Sequence, residues 1–522
     1  MVITAFIVFS AGLLIKAITE KNVSERNQLT AEAFYMAEGA NENAINAFLS
    51  GIADFQIANT IAVYNCPTTF TMFGNTVVNS TVTRLEASDR LVAEGSINVY
   101  VCNYEVASTV THPGNNAIVV SVHQIIARRL IPTFQHAVFY NDDLEILPGA
   151  AMTLSGRIHS NQDIYVHSRN TLTIDSNYFR SAGDIINKRK DDPGDPMGGT
   201  VSIRVTQGGA PTYANMNGLD SNNASWVTES INRWQGTVQS AAHGVTKLTT
   251  PSVGSIQPTG YYANQANVVI TNNTIVKGGV ALTEGVDYPA GTVTSSTASF
   301  YNNREGKYIR MTQIDLDKLA GKTGTCGAGA CSNNLPSNGL LYTTRTDAGA
   351  NEPGIELVNG SEIVRNGGLT VVTNQPMYIK GNYNTVNEKP TSIIADSVNL
   401  LSNNWNNSNS DDGLGSRTAT QTTFNVACVS GIDQSTVGHY NGGLENYPRL
   451  HENWSGVNLN IKGSFVELWN SSVATGAWVY GGSQYTAPNR SWTYNTSFNN
   501  LANLPPFTPM AVEAQRIAWW QD

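Results

Sequence analysis

Charged residues are scarce in this sequence. Asp, Glu, Lys and Arg make up 14% of its 522 residues, compared with about 25% in an average globular protein. The formal net charge is −9, and no basic cluster is larger than the three residues at 188–190. Because nucleic-acid binding needs a basic surface, the sequence predicts no nucleic-acid partner. The adjacent Arg128 and Arg129 are interpreted as a solvated strand end.

Cysteine is also sparse. The five cysteines contain no CxxC pair, which argues against a zinc site. Cys326 and Cys331 bracket a short glycine-rich loop and are predicted to form a disulfide. Cys66 and Cys102 lie in neighbouring β-patterned stretches and are predicted to form another. Both pairs imply an oxidising compartment, and they leave Cys428 either buried or free.

Motifs of the common catalytic classes are missing as well. The sequence contains no GxSxG, HExxH or P-loop motif and no dinucleotide-binding fingerprint. His159 and His167 lie on adjacent predicted strands, but no carboxylate pattern accompanies them. Asp142 and Asp143 stand side by side in a predicted turn, where carboxylates are usually solvated. The sequence therefore predicts no enzyme activity.

The longest apolar run stands at the N-terminal end. Residues 1–18 are interrupted only by Thr, Ser, Gly and Lys, and as a helix they span roughly 27 Å, close to the ~30 Å hydrocarbon core of a bilayer. No basic residue precedes the run and no cleavage site follows Ile18, which argues against a cleaved signal peptide. A simple membrane anchor and a helix that assembles with other copies are the two interpretations that remain.

This run continues without a helix breaker into an amphipathic stretch at 19–49. One N-terminal helix is therefore predicted over 1–53, roughly 75 Å long over its first fifty residues. Its apolar positions recur at intervals of three and four, and many are alanines, which let helices approach closely. The second half of the stripe is expected to pack partly on the protein's own β-structure. The stripe consists of Leu29, Ala33, Met36, Ala37, Ala40, Ala44, Phe48 and Leu49.

The rest of the chain is patterned as β-structure. Residues 54–135 alternate apolar and polar positions and are predicted to form an antiparallel head layer on the helix. Residues 136–410 contain short strands between Gly, Asn and Asp turns, which favours a β-solenoid or β-helix-like body over a β-sandwich, with an insertion around 185–360. Residues 411–522 are predicted to form an aromatic-rich cap region. The predicted fold class is α+β.

Aromatic residues cluster near the C-terminal end. Such a cluster either caps an open end of the β-body or provides a carbohydrate-binding platform, and capping is the favoured interpretation. Trp519 and Trp520 follow the cluster and are predicted to dock on a neighbouring molecule. The cluster consists of Trp469, Trp478, Tyr480, Tyr485, Trp492 and Tyr494.

Calcium is the one metal that the sequence brings into consideration. Calcium takes oxygen ligands from Asp, Asn and backbone carbonyls. Asn407, Asn409 and Asp411 stand at alternating positions, and Asp412 follows them, but the closing glutamate of an EF-hand is missing. A second loop at 191–195 has fewer such ligands. Apart from a structural calcium in the first loop, no cofactor is predicted.

Two segments carry a family resemblance. Residues 34–44, with the sequence FYMAEGANENA, resemble the alanine- and glutamate-rich run that follows the apolar helix in PilX-type pilin-like proteins. Residues 375–385 and 389–405 resemble a block in the large C-terminal regions of some bacterial PilX-like proteins. The resemblance covers about 1–50, 136–185 and 370–510.

The resemblance implies a structural subunit of an extracellular type IV pilus or related filament. Its N-terminal helix is held in the inner membrane before assembly and then polymerises with other copies or other pilins, while the β-rich body is displayed on the surface. The pilus assembly machinery and a prepilin peptidase, which removes a short basic leader in this family, are the implied partners. The implied assembly residues are Met1, Ala5, Phe6, Phe9, Gly12, Leu13, Leu14, Leu29, Ala33, Met36, Ala37 and Ala40.

The sequence departs from the family pattern at Ala5. Most pilins have a glutamate at the fifth mature residue, which pairs with the N-terminal amine of a neighbouring subunit, and no leader precedes Met1. The chain is therefore either the mature form or one whose start lies downstream of the leader. A minor or tip pilin acting as an adhesin is one alternative that fits Ala5 and the chain length. A membrane-anchored β-helical enzyme acting on polysaccharide is the other.

Overall fold

The computed structural model begins with a single long helix, α1 (Val2–Ala53). The structure describes residues 2–77, 80–205, 210–295, 300–327, 329–476 and 484–522, with only the backbone of 75–77 described. The apolar and amphipathic stretches form one continuous helix because no proline interrupts them and each backbone hydrogen bond is made within the segment. Residues 2–28 are exposed, whereas one face of α1 is buried from Ala33 onward.

Strands dominate the remainder of the described residues. Three further short α-helices are α2 (Trp226–Trp234), α3 (Tyr261–Gln265) and α4 (Leu316–Leu319). The strands in chain order are β1 (Val63–Asn65), β2 (Phe70–Met72), β3 (Asn75–Val77), β4 (Ser80–Arg84), β5 (Arg90–Glu94), β6 (Ile97–Thr111), β7 (Val119–Pro132), β8 (Val138–Tyr140), β9 (Leu144–Ile146), β10 (Met152–Ser155), β11 (Ile158–Ser160), β12 (Ile164–Val166), β13 (Thr171–Asp175), β14 (Phe179–Ser181), β15 (Ile185–Ile186), β16 (Thr200–Arg204), β17 (Tyr213–Asn215), β18 (Val238–Gln239), β19 (Val268–Thr271), β20 (Thr274–Lys277), β21 (Val280–Ala281), β22 (Val293–Ser295), β23 (Phe300–Asn302), β24 (Lys307–Asp315), β25 (Thr325–Cys326), β26 (Gly329–Ala330), β27 (Leu340–Thr344), β28 (Glu352–Val358), β29 (Leu369–Val372), β30 (Pro376–Lys380), β31 (Thr391–Ala395), β32 (Ser397–Leu401), β33 (Thr422–Ile432), β34 (Pro448–Leu450), β35 (Asn458–Asn470), β36 (Asn489–Tyr494) and β37 (Met510–Gln521).

The chain divides into two compact units. The first comprises the residues up to Glu94, then Val99–Ile131 and Val512–Asp522, and the second comprises Gly95–Asn98 and Pro132–Ala511. The final strand, β37, is therefore mostly part of the first unit, although the residues of the second unit precede it in the chain.

A six-stranded sheet supports α1 in the first unit. Its order is β1-β4-β6-β7-β37, with β5 also paired to β6, and β6 and β7 form a long antiparallel pair. Buried and accessible residues alternate along β7, as expected for a strand with one face on the core. The buried face packs on α1, where small side chains allow close approach. The apolar cluster there contains Ala33, Met36, Ala37, Ala40, Val110, Ile118, Val120 and Val122.

Arg128 is buried in this unit, so its interpretation as a solvated strand end is wrong. Its side chain is 0% exposed, and its guanidinium Nη2 donates to Asp89 Oδ1 at 2.7 Å. The same carboxylate oxygen accepts from Arg84 Nη2 at 2.6 Å. Burial of a guanidinium is costly unless a carboxylate compensates it, and Asp89 supplies that charge to both arginines. Arg129, on the other face of β7, pairs with Glu94 and Glu513.

Parallel pairing predominates in the second unit. Val138 of β8 is opposite Ile158 of β11, which is opposite Phe179 of β14, and these rows of apolar side chains point into one hydrophobic core. The strands β9, β12 and β15 form a second parallel ladder. A seven-stranded sheet of order β22-β24-β28-β30-β32-β34, with β23 on β24, contributes another part of that core.

The prediction of an α+β chain with a solenoid body is wrong. Strands make up 40% and helices 19% of the structure, with one long N-terminal helix and many sheets, and no solenoid or closed barrel is present among the described residues. A solenoid stacks each coil on the one before it in the chain, whereas β8 pairs with β11 on one side and with the much later β35 on the other. The thirteen-stranded sheet has the order β18-β14-β11-β8-β35-β33-β31-β29-β27-β19-β20-β21, with β36 also paired to β35. Antiparallel pairs at β19–β20 and β20–β21 end this sheet. The repeat of short strands near residue 150 reflects local parallel ladders, and antiparallel pairs such as β16–β17 interrupt the parallel pairing.

Candidate functional site

The exposed half of α1 is the most unusual surface of the first unit. Ten large apolar side chains between Val2 and Ile18 are from 50% to 82% exposed. Soluble proteins rarely leave an apolar surface of this size uncovered, and such a surface marks contact with a membrane or another protein. The exposed side chains are Val2, Ile3, Phe6, Ile7, Val8, Phe9, Leu13, Leu14, Ile15 and Ile18.

By length and composition, α1 is the one helix of the described residues that is able to cross a membrane. No charged residue precedes Lys16, which lies 3.8 Å from Glu20 one turn later. The hydroxyl of Thr19 donates to the carbonyl of Ile15 at 2.9 Å, so this polar side chain is satisfied within the helix. The segment can therefore enter an apolar environment without leaving that hydroxyl unpaired.

The other half of α1 is held firmly by its own sheet. Asn41 Nδ2 donates to the carbonyl of Val122 at 3.1 Å in a buried position. The ring of Phe48 packs on Tyr104 with centroids 4.9 Å apart. Glu32 accepts from His112 Nε2 at 3.1 Å at the edge of this contact. These contacts fix the direction in which the apolar half of α1 projects from the sheet.

The predicted assembly residues divide into two groups. Those nearer the N-terminal end are exposed: Ala5, Phe6, Phe9, Gly12, Leu13 and Leu14. Leu29 is half-buried, and four are buried against the sheet of the same chain: Ala33, Met36, Ala37 and Ala40. We therefore do not assign an assembly role to those four. Met1 lies outside the described residues.

The C-terminal strand lies beside α1, a position that no local sequence pattern indicates. Ser121 and Asp522 exchange backbone hydrogen bonds of 3.1 and 2.9 Å, so the end of β37 is paired with β7. The two tryptophans at this end contact the first unit itself. Trp519 packs edge-to-face on Phe34 at 5.7 Å, and Trp520 stacks on His123 at 5.1 Å. Trp519 nevertheless remains 48% exposed.

Cys66 and Cys102 do not form the predicted disulfide, and both are buried free thiols. The backbone N–H of Cys66 donates to Ser80, and Ser80 is opposite Ser108 on β6. Cys102 is six residues from Ser108, which is about 20 Å along a strand. A disulfide needs Cα atoms within about 7 Å, so the strand register excludes the bond. Cys102 Sγ instead accepts from Arg84 Nε at 3.2 Å.

The other predicted pair is joined in the structure. Cys326 and Cys331 form a disulfide with Cα atoms 5.0 Å apart, across the short hairpin of β25 and β26. Cys428 is buried, and burial raises the pKa of its thiol to about 12. This thiol is therefore uncharged at neutral pH and is a poor nucleophile.

The predicted calcium ligands have protein partners. Asn407 Oδ1 accepts from Trp405 Nε1 at 2.6 Å, and Asn407 Nδ2 donates to Glu356. The carboxylate of Asp411 accepts from the Tyr308 hydroxyl at 3.1 Å. In Asn409 and Asp412, the backbone groups form a turn hydrogen bond. In the second loop, Arg189 pairs with Asp191 and Asp195.

The aromatic cluster contributes to the core of the second unit. Trp469, Tyr485 and Trp492 are all at most 6% exposed, and the ring of Trp492 packs on Phe465 at 5.1 Å. Tyr494 packs against the same core from a half-buried position. Trp478 and Tyr480 lie outside the described residues.

The two histidines singled out in the sequence have separate surroundings in the second unit. His159 is buried on Phe139 and donates through Nε2 to Asn161 at 3.0 Å. Burial lowers the pKa of His159 to about 4. His167 lies after β12, in a different sheet, and its Nδ1 accepts from Ser168 at 2.8 Å. Among the described residues, no group of three or more His, Cys, Asp or Glu side chains is placed to hold a metal ion.

Asp142 and Asp143 are half-buried rather than solvated. Asp143 Oδ2 forms an ion pair with Lys190 at 2.6 Å. The backbone N–H of Asp142 donates to the buried Glu467 at 3.0 Å, and burial raises the pKa of the Asp142 carboxyl. Both residues therefore have partners within the second unit.

Buried glutamates make the stability of the second unit dependent on pH. Glu445 Oε1 accepts from the backbone N–H of Leu147 at 3.0 Å, while its buried Oε2 has no hydrogen-bond partner among the described residues. Burial raises the pKa of Glu445 from 4.5 to about 7. A raised pKa means that the folded state holds the proton more tightly. The stabilising contribution is therefore fully present below pH 4.5 and is lost as the pH rises through 7.

Replacement of Glu445 by glutamine is expected to flatten this pH dependence. The glutamine amide oxygen still accepts the hydrogen bond from the backbone N–H of Leu147, but the side chain does not ionise. The loss of stability between pH 4.5 and 8 that Glu445 causes, on the order of 3 kcal/mol, should therefore disappear. Thermal unfolding of the second unit, followed at several pH values, measures the effect. Glu388→Gln is the control, because that glutamate is exposed and pairs with Lys462 at 3.0 Å. An unchanged pH slope in E445Q would show that Glu445 does not cause it.

The sequence matches no protein-family profile and no curated protein. Among solved structures, the chain is similar to the crystal structure of the competence-associated pilin ComZ from Thermus thermophilus. The two are 8% identical, and the match covers 95% of this chain and 98% of that chain with a TM-score of 0.25. A TM-score this low assigns neither a fold nor a function to this chain.

Proposed function

We propose that this protein is a PilX-type structural subunit that stores its N-terminal helix in a membrane and then assembles into an extracellular pilus-like filament. The observation that carries the proposal is the division of α1 into two halves. One half is locked onto the sheet of the first unit, and the other presents ten exposed apolar side chains. A soluble protein with no membrane or partner would leave this surface in water.

The resemblance of residues 34–44 to the PilX-type run supports the choice of a filament over a simple anchor. Transfer of residues 2–18 from lipid into a bundle of helices gains little from removal of water, because lipid is already apolar. Packing between helices must therefore drive assembly. Other pilins, the pilus assembly machinery and a prepilin peptidase are the proposed partners. The protein acts as a structural component and not as an enzyme.

Cryo-electron microscopy of filaments sheared from the producing cells tests the proposal. Density that fits this chain at every helical position is the expected result. Filaments made of another pilin, with this chain only at their ends, would indicate a tip subunit and would contradict its role as the main component. A chain that stays in the membrane fraction of cells with complete filaments would contradict the filament function altogether.

A further inference from the structure

A groove in the first unit lies between α1 and β37. It is lined by Phe34 and Glu38 of α1, Gln124 of β7, and Arg516, Ile517 and Trp519 of β37. Its apolar wall is only partly covered, since Ile517 is 54% and Trp519 is 48% exposed. Tyr35, next to the groove on α1, is 53% exposed.

The exposed tryptophan is held in position before any partner binds. Its ring packs edge-to-face on Phe34 at 5.7 Å, with an angle of 83° between the ring planes. The strand that carries it is paired with β7 up to Asp522. A partner would therefore lose little conformational entropy in ordering this side chain, and tryptophan is enriched among residues that dominate binding energy.

The apolar segment of the same molecule cannot fill this groove. Leu14 is twenty residues before Phe34 on one unbroken helix, which places the two about 30 Å apart along its axis. The helix would have to break and reverse for residues 2–18 to reach Trp519. An apolar segment of this sequence can enter the groove only from another molecule.

Charge complementarity indicates how that segment would be seated. Glu38 at the rim of the groove is exposed and has no ion pair or hydrogen bond among the described residues. Arg516 is already paired with Glu42. Residues 2–15 are uncharged, and the first cation of α1 is Lys16. Its contact with Glu20 is 3.8 Å long and exposed to solvent, so it contributes little and is easily exchanged. Placing the apolar run on Ile517 and Trp519 brings a cation at its end to the one unpaired acid of the rim.

We propose that the groove between α1 and β37 binds residues 2–18 of a second copy, with Lys16 of that copy near Glu38. This inference rests on the proposed filament function, and it adds a specific contact to it. The two surfaces are different patches of the same chain, so the contact is heterologous. Repetition of such a contact without closure produces a filament rather than a dimer.

Two adjacent tryptophans provide the test and its control. Trp519→Ala is expected to reduce incorporation of the full chain into sheared filaments at least tenfold, the loss typical of a residue that dominates an interface. Trp520→Ala removes a ring of equal size from the opposite face of β37 and is expected to change incorporation less than twofold. Equal losses in both variants would show that only the strand had been disturbed, and would overturn the proposal.

Three further substitutions, two of them also combined, keep the test decisive. Ile517→Asp introduces a charge at an exposed position and should also block incorporation without unfolding the first unit. Glu38→Lys and Lys16→Glu should each reduce incorporation, and the double variant should restore it. Failure of the double variant to recover, with both single variants impaired, would overturn the predicted pairing.

A photo-cross-linking residue at position 517 identifies the occupant directly. Cross-linked peptides from residues 2–18 of another copy are expected, whereas lipid or a different pilin as the sole product would overturn the proposal. Leu14→Asp is measured in parallel. If that variant is excluded from filaments but Trp519→Ala is not, the groove contact is wrong and the filament function stands. If Leu14→Asp assembles normally, the filament function itself is wrong.

Discussion

Replacement of Leu14 by aspartate is expected to remove the protein from filaments while both units remain folded. Leu14 is 63% exposed on the apolar half of α1, so the substitution breaks no contact within the chain. An aspartate at the centre of a membrane-spanning helix costs about 3 kcal/mol in insertion, and a buried unpaired carboxylate in a helix bundle is similarly unfavourable. Gly12→Arg, two residues nearer the N-terminal end, should have the same effect.

The measurement is the fraction of the chain recovered in sheared filaments, compared with the fraction in the membrane. Asn22→Asp is the matched control, because it adds the same charge to an exposed position of the same helix beyond the apolar run. We expect Asn22→Asp to assemble normally. Normal assembly of Leu14→Asp would contradict the proposed role of residues 2–18.

Replacement of Asp89 by alanine is expected to destabilise the first unit by about 3–5 kcal/mol, the usual cost of leaving a buried charge without its partner. Asp89 Oδ1 accepts from both Arg84 and Arg128 at 2.6 and 2.7 Å. Arg128 is fully buried, and its Nε and Nη1 have no other hydrogen-bond partner among the described residues. Removal of the carboxylate therefore leaves two positive charges close together inside the unit.

Hydrogen exchange of the amides of β6 and β7 reports the stability of this unit within the full chain. Glu86→Ala is the control, because Glu86 pairs with Arg90 at 3.2 Å on the surface and exposed pairs contribute about 1 kcal/mol or less. Similar losses of protection in the two variants would contradict the assigned importance of Asp89.

The long helix was predictable because its determinants are local. An α-helix satisfies its own backbone hydrogen bonds, so an apolar run followed by an amphipathic stretch was enough to define α1. The exposure of residues 2–18 followed from the same pattern. The sequence also showed that part of the alanine stripe packs on the protein itself, although it did not show that Ala33, Met36, Ala37 and Ala40 are all buried there.

The strand partners were not predictable because pairing depends on distant segments. Alternating patterns located several strands, but the register that separates Cys66 from Cys102 is determined by β4 and β6 together. The carboxylate that pairs with Arg128 belongs to Asp89, and no sequence motif around Asp89 indicates this ion pair. The strand spacing near residue 150 predicts a solenoid, because sequence periodicity does not reveal that β8 also pairs with β35.

The position of β37 has a consequence for how the protein is made. Synthesis runs from the N-terminal end, so β7 is translated long before the strand that pairs with it. At roughly 5–20 residues per second, the ribosome needs tens of seconds to produce the intervening second unit. During that interval the sheet that holds α1 has an open edge, which is a site for mispairing with other chains. A nascent chain of this protein therefore has a defined period of vulnerability to aggregation, and a chaperone bound at β7 would protect it.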